Sequence, residues 1–227
     1  MLIAIPDLLS PERLAKIRSL IDTAEWIDGN ATSGHQSALA KDNEQLPEDS
    51  AVARQAGEMV LDALSASPLF VAAALPRKVY PPLFNRYGPG RAFGAHVDSA
   101  IRIRRGSDFR VRTDLSATLF LTPPDDYDGG ELVMGDDFGE RRIKLPAGHL
   151  LLYSASTVHR VEPVTRGVRT ASFFWVESMI RDEAARRLLF DLDGAIQAIA
   201  GDRGQDDGEI VRLTGLYHNL LRRWADS

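Results

Sequence analysis

The chain contains no cysteine, which excludes disulfides, iron–sulfur clusters and thiolate metal sites and fits a reducing compartment. It has no stretch approaching the roughly 20 consecutive apolar residues that a membrane-spanning helix needs. It has no basic excess either. Its 27 Lys and Arg stand against 32 Asp and Glu, a net charge of -5, so nucleic acid is not an implied partner. Met1 to Leu9 is apolar, but no basic segment precedes it, and a helix start follows at once with Ser10 as N-cap, Pro11 at the first helical position and Glu12 in the first turn. No signal peptide is read there. No membrane association is expected, and the cytoplasm is the expected location. Internal repeats and low-complexity stretches are also lacking.

What is present is an ordinary globular composition, and 227 residues suffice for one large core with an appended element. Apolar spacing predicts helices over 11–24 and 51–64, with a polar, Gly/Asn/Ser-rich segment over 26–45 between them. From Lys78 the period shortens. Short β-type runs recur over 82–87, 92–97, 115–121, 131–134, 141–145, 149–153, 158–161 and 168–177, separated by Gly and Pro turns. Many short strands of this kind argue a sandwich or barrel. Helical periodicity returns over 181–200 and 209–224, a helical hairpin that either covers the β core or packs against a second copy in a homodimer. The expected organisation is an amino-terminal support region (1–77), a β core (78–178) and a carboxy-terminal helical region (179–227).

The chemistry concentrates in His96-Val97-Asp98 and in His159, sixty-one residues past Asp98. Two imidazoles and one carboxylate form the ligand set that suits a non-haem Fe(II) with open coordination positions. His96 and Asp98 are two apart, so on a strand they share a face. The bare pair is a weak signal by itself, and a lone His159 would read as a hydrogen-bonded core histidine. Arg169 changes the weight. It lies in the apolar run Val168 to Val176, where a guanidinium needs an anionic partner, and a bidentate carboxylate is the natural one. On that strand Arg169, Ala171, Phe173 and Trp175 share one face. A metal with open positions beside a carboxylate anchor is the pattern of an oxygenase that consumes 2-oxoglutarate.

Asn85-Arg86-Tyr87, His96-x-Asp98, Tyr127-Asp128-Gly129-Gly130-Glu131-Leu132, Leu150-Leu151-Leu152-Tyr153 and His159-Arg160-Val161-x-Pro163-Val164-x-x-Gly167-x-Arg169 together resemble the Fe(II)/2-oxoglutarate dioxygenases of the prolyl 4-hydroxylase superfamily. Thr113 to Leu121, Ser172-Phe173-Phe174-Trp175 and Trp26-x-Asp28-Gly29 bring the match closer to the bacterial PKHD-type hydroxylases, over nearly the whole chain. The resemblance implies a mainly β, α+β fold: a double-stranded β-helix, or jelly roll, flanked by helices at both ends. It implies His96, Asp98 and His159 as iron ligands and Arg169 as the partner of the distal carboxylate of 2-oxoglutarate. Tyr87 matches an aromatic that lines the cosubstrate pocket, beside its plainer reading as a core tyrosine. Fe(II), 2-oxoglutarate and O2 are the implied requirements, with L-ascorbate as a further one. The implied reaction is hydroxylation with release of succinate and CO2. A prolyl or lysyl side chain of a protein, or a small molecule linked to iron uptake, is the implied substrate class.

Other residues read more plainly. Gly129-Gly130 permit a tight turn, and Glu131 is expected to bond to backbone or to an arginine. His149 is expected at the surface or behind a ligand, and His35 and His218 have no supporting partners. Arg102, Arg104, Arg105, Arg110 and Arg112 form the one local basic cluster. A solvated loop paired with Asp108 and Asp114 is the favoured reading, and a lid or a collector of acidic substrate is the sharper one. Two functions compete with this one: a metal-binding sensor or interaction module without turnover, against which Arg169 argues, and a cupin-type enzyme, which would need a further ligand near Gly94 and Ala95.

Overall fold

The structure is a computed structural model that describes residues 1–32, 41–136 and 139–226; His35 lies outside them. Within the described residues, sixteen strands and five α-helices form. In chain order the strands are β1 (Leu2–Ile5), β2 (Ile27–Asp28), β3 (Glu44–Gln45), β4 (Pro76–Val79), β5 (Leu83–Tyr87), β6 (Phe93–His96), β7 (Ile101–Ile103) and β8 (Arg110–Arg112). They continue with β9 (Leu115–Phe120), β10 (Asp128–Gly129), β11 (Leu132–Asp136), β12 (Gly139–Ile143), β13 (Leu150–Ser154), β14 (His159–Val161), β15 (Val164–Arg166) and β16 (Arg169–Ser178). The helices are α1 (Pro11–Asp22), α2 (Ala51–Ser65), α3 (Pro68–Ala74), α4 (Glu183–Arg203) and α5 (Gly208–Trp224).

Two antiparallel sheets make the jelly roll. The larger runs β1-β13-β9-β16-β5-β3-β2, with β4 also on β16, and the smaller runs β12-β11-β14-β6. The amino-terminal region therefore supplies strands to the larger sheet as well as helices. Alternation along β9 shows how one strand serves two layers. Leu115, Ala117 and Leu119 join a core shared with Ile17 and Ile21 of α1, Val60 of α2 and Phe70 of α3. Phe120, on the opposite face, packs between the sheets with Tyr87, Leu132, Leu151, Tyr153, Val161 and Val164. Burying one such large apolar side chain contributes about 1.5–3 kcal/mol, so both layers lock the strand's register.

The helix starts follow from capping. Ser10, Ser50 and Ser67 each accept a backbone N–H three residues on, from Arg13, Ala53 and Phe70. Pro11 and Pro68 follow two of these caps. The second, Ser67-Pro68, opens α3, which apolar spacing did not reveal. At the other end of the chain, α4 and α5 form the expected hairpin. Tyr217, Leu220, Leu221 and Trp224 close over Leu75, Ile180, Ala185 and Leu189, so one face of the hairpin covers the end of the β core. Among the described residues no single helix is long and apolar enough to cross a membrane.

Residues 101–112 differ from the expected loop. They form a hairpin in which Ile101, Arg102 and Ile103 pair with Arg112, Val111 and Arg110. Arg112 fixes its second strand. Its guanidinium donates to both carboxylate oxygens of Asp114 at 2.8 and 2.9 Å and to the Ser178 carbonyl at 3.0 Å, and it pairs with Asp226 beyond α5.

Candidate metal and cosubstrate site

His96 ends β6 and His159 begins β14, and the two are direct partners across the strand pair. Asp98 follows β6 by two residues. One ligand atom from each of the three side chains lies within 4.8 Å of the others, so the fold gathers the residues that the sequence singled out. The histidine orientation is set by backbone. Nδ1 of His96 lies 2.8 Å from the Gly94 carbonyl, and Nδ1 of His159 lies 2.9 Å from the Thr157 carbonyl. A carbonyl only accepts, so each Nδ1 carries the proton and each Nε2 keeps its lone pair for the cluster. Burial, then the neighbouring His159, holds the His96 pKa below the usual histidine value, against weaker opposing effects of the Gly94 carbonyl and Asp98. The neutral form, which a metal needs, is thereby favoured.

Ser116 donates to Oδ2 of Asp98 at 2.6 Å, which leaves the carboxylate one oriented edge. By residue type alone Ser116 carries no sign of this role. The available signal was parity: in the apolar run Leu115 to Leu121, the polar Ser116 and Thr118 share one face. The Phe93 ring stacks on His96 at 3.7 Å between centroids, and Tyr153 meets His159 edge-on at 5.2 Å.

The cluster borders a cavity of about 840 Å³, including its open mouth. Arg169 lines the same cavity. Its residue is 2% exposed, and Nε and Nη2 find no hydrogen-bond partner among the described residues. The guanidinium carbon sits 5.4 Å from the ring centres of both Tyr87 and Phe120. These contacts hold the cation in place and leave its donors for an anion. Tyr87 is the cross-strand partner of Arg169 and is itself buried, its hydroxyl 3.4 Å from Nδ2 of Asn85. Burial raises the Tyr87 pKa, so it stays a neutral phenol. Lys41 also reaches the cavity wall, bonded to the Gly29 carbonyl and to Gln45, and burial brings its pKa down to about 8.

Gly130 makes the room for Arg169. It adopts φ +67°, and a Cβ there would lie 2.9 Å from Val164 Cγ2 and 3.1 Å from Arg169 Cδ. Glu131 stands 3.9 Å from Arg142, an ion pair of the kind expected. His149 takes a long bond from the Asp7 backbone, and His218 is exposed on α5 beside Tyr217; neither belongs to the cluster.

Residues 82–177 match the family model of the 2OG-Fe(II) oxygenase superfamily, and residues 183–226 match that of the PKHD-type hydroxylase C-terminal domain. The chain is 66% identical to a PKHD-type hydroxylase of Rhizorhabdus wittichii, across 100% of both chains. Among solved structures it is similar to a Pseudomonas putida prolyl-4-hydroxylase, with 20% identity and a TM-score of 0.52 over 78% of this chain and 92% of that one. It is also similar to a Trichoplax adhaerens prolyl hydroxylase in complex with a peptide fragment of the hypoxia inducible factor oxygen degradation domain. The identity there is 15% and the TM-score 0.55, over 82% of this chain and 86% of that one. At such identities the two structures share the jelly-roll fold.

Proposed function

The chain belongs to the PKHD-type hydroxylases and is a 2-oxoglutarate- and Fe(II)-dependent oxygenase, and from that premise we propose that His96, Asp98 and His159 hold the iron while Arg169 and Tyr87 hold the cosubstrate. The donor set fits the ion: two neutral imidazole nitrogens and one carboxylate suit non-haem Fe(II) and leave coordination positions for other ligands. The buried Arg169 fits the cosubstrate. A buried guanidinium with two nitrogens, Nε and Nη2, left unpartnered is costly alone, and the distal carboxylate of 2-oxoglutarate would compensate it through paired bonds. Iron bound with 2-oxoglutarate and O2 supplies the oxidant for C–H hydroxylation, with succinate and CO2 as co-products.

The side chains position and shield. The Gly94 and Thr157 carbonyls keep both Nε2 lone pairs on the metal side. Ser116 fixes the Asp98 carboxylate. Phe120, Leu132, Val161 and Val164 exclude water around the Arg169 end, which strengthens the pairing of its charge. The cavity opens to solvent, and the primary substrate would enter by that mouth, whether a prolyl or lysyl side chain of a protein or an iron-uptake-related small molecule.

The observation that carries this reading is the three-donor cluster and an uncompensated buried arginine in one cavity. Its test is an anaerobic titration with Fe(II) and then 2-oxoglutarate, followed by visible absorption, with L-ascorbate added in the later turnover assays. A weak charge-transfer band that needs both additions supports the reading. Iron binding without the band would assign Arg169 a structural role instead.

A further inference from the structure

The basic cluster 102–112 divides into residues with different fates. Arg112 is consumed by Asp114, Ser178 and Asp226. Arg105 and Arg110 are exposed. Arg102 alone of the five lines the same cavity as the His-Asp-His cluster. Its guanidinium lies 4.5 Å from the Trp175 ring centre and 5.6 Å from that of Tyr80. Its Nε is buried without a hydrogen-bond partner, and no carboxylate among the described residues forms an ion pair with it. The nearby Glu48 carboxylate accepts the Tyr80 hydroxyl instead.

The order of residues along β16 separates the two cavity arginines. Arg169 and Trp175 lie on the same face, six residues apart, which is about 20 Å of strand. Ser116, which holds Asp98, pairs in register with Trp175. The cluster therefore sits toward the Trp175 end of the row, with Arg102 stacked there and Arg169 at the far end. A five-carbon diacid anchored on Arg169 and reaching the cluster is too short to extend to Arg102 as well. Arg102 is thus a second arginine of the cavity, separate from Arg169 and on the side of the His-Asp-His cluster.

We propose that Arg102, stacked on Trp175, binds a carboxylate of the primary substrate, so that the hydroxylated molecule is a carboxylic acid held by that group beside the metal cluster. This rests on the assignment of the cluster and Arg169 to iron and 2-oxoglutarate. An arginine held over an indole keeps its N–H donors available, and a planar guanidinium matches a carboxylate. Phe173, next on the same strand face, meets Trp175 edge-on at 5.7 Å between centroids, giving an apolar wall for the carbon skeleton of the acid.

The test is calorimetry on full-length protein loaded anaerobically with Fe(II) and saturating 2-oxoglutarate, with benzoate as probe and benzamide as its neutral counterpart. Wild type, Arg102→Gln and Arg102→Lys are compared, each first checked for the charge-transfer band and for its circular dichroism. The expected result is benzoate bound roughly tenfold or more tightly than benzamide by wild type, a preference worth about 1.4 kcal/mol. Arg102→Gln should lose it, Arg102→Lys should keep part of it, and the band should be intact in all three. Equal behaviour of benzoate and benzamide on wild type, including no binding of either at millimolar concentration, overturns the proposal. So does unchanged benzoate affinity in Arg102→Gln, or loss of the band in that variant, which would make Arg102 a cosubstrate residue. No band in wild type strikes the iron and 2-oxoglutarate reading instead, and so the two failures are distinguishable.

Discussion

His96 and His159 face each other across an antiparallel strand pair, in register, with ring centres 4.3 Å apart. One strand pairing thus brings together two histidines sixty-three residues apart in sequence, and Asp98 follows because it is two residues from the first. Replacing His96 or Asp98 with Ala should abolish succinate formation and weaken iron retention while circular dichroism stays that of wild type. Metal analysis after desalting checks it; a fully active variant of either kind removes that residue from the ligand set.

Arg169→Ala should raise the KM for 2-oxoglutarate by roughly 10–100-fold, the equivalent of the 1.5–3 kcal/mol of a charged hydrogen bond. Because no carboxylate among the described residues pairs with the buried wild-type cation, Arg169→Met should also melt no lower than wild type in the absence of ligand. In that variant the stabilisation on adding 2-oxoglutarate should vanish. A wild-type KM in Arg169→Ala would show that the cosubstrate anchors elsewhere.

Ser116→Ala removes the hydrogen bond to Asp98 and nothing else in the apolar core. Iron affinity should fall by about 10–100-fold, the usual effect of losing a partner that orients a metal ligand, with little change in melting temperature. Competition with a fluorescent chelator measures the affinity. Equal affinities would make the contact incidental.

Gly130→Ala forces a side chain into a left-handed backbone, at a cost of about 1–3 kcal/mol. It also presses on Val164 and on the Arg169 stem. Both a lower melting temperature and a higher KM for 2-oxoglutarate are expected, a combination that a purely local turn defect would not give.

The pH dependence has a definite sign. His96 has a folded pKa below its ordinary value, chiefly through burial. The unfolded chain therefore binds more protons below about pH 6.5, and stability falls as pH falls through that value toward the folded pKa. Metal-free wild type should lose more melting temperature between pH 7.5 and pH 5 than His96→Ala does. Identical losses would mean that the proton is taken up elsewhere.

The strands of the β core were legible because alternation and Gly/Pro turns mark them, and β5, β9, β13 and β16 lie within a residue or two of their expected bounds. The edge pieces were not. β1 is four residues long and β10 only two, too short to show a period, and they owe their pairing to β13 and β15. The hairpin of β7 and β8 was hidden by its arginines, whose charge reads as loop until Arg102 is seen on Trp175 and Arg112 on Asp114. Within the site, the residue types of the cluster and of Arg169 carried their own chemistry. Ser116 and Gly130 did not, because their roles exist only across strands.

The protons of the two imidazoles rest on carbonyls of Gly94 and Thr157, each two residues upstream of its histidine. Main-chain oxygens survive any side-chain substitution. The cavity wall can therefore change by ordinary point mutation while the tautomer of the two imidazoles, and with it the free Nε2 lone pairs, is kept. Novelty at the Trp175 end and constancy at the histidines are, in this fold, separately heritable.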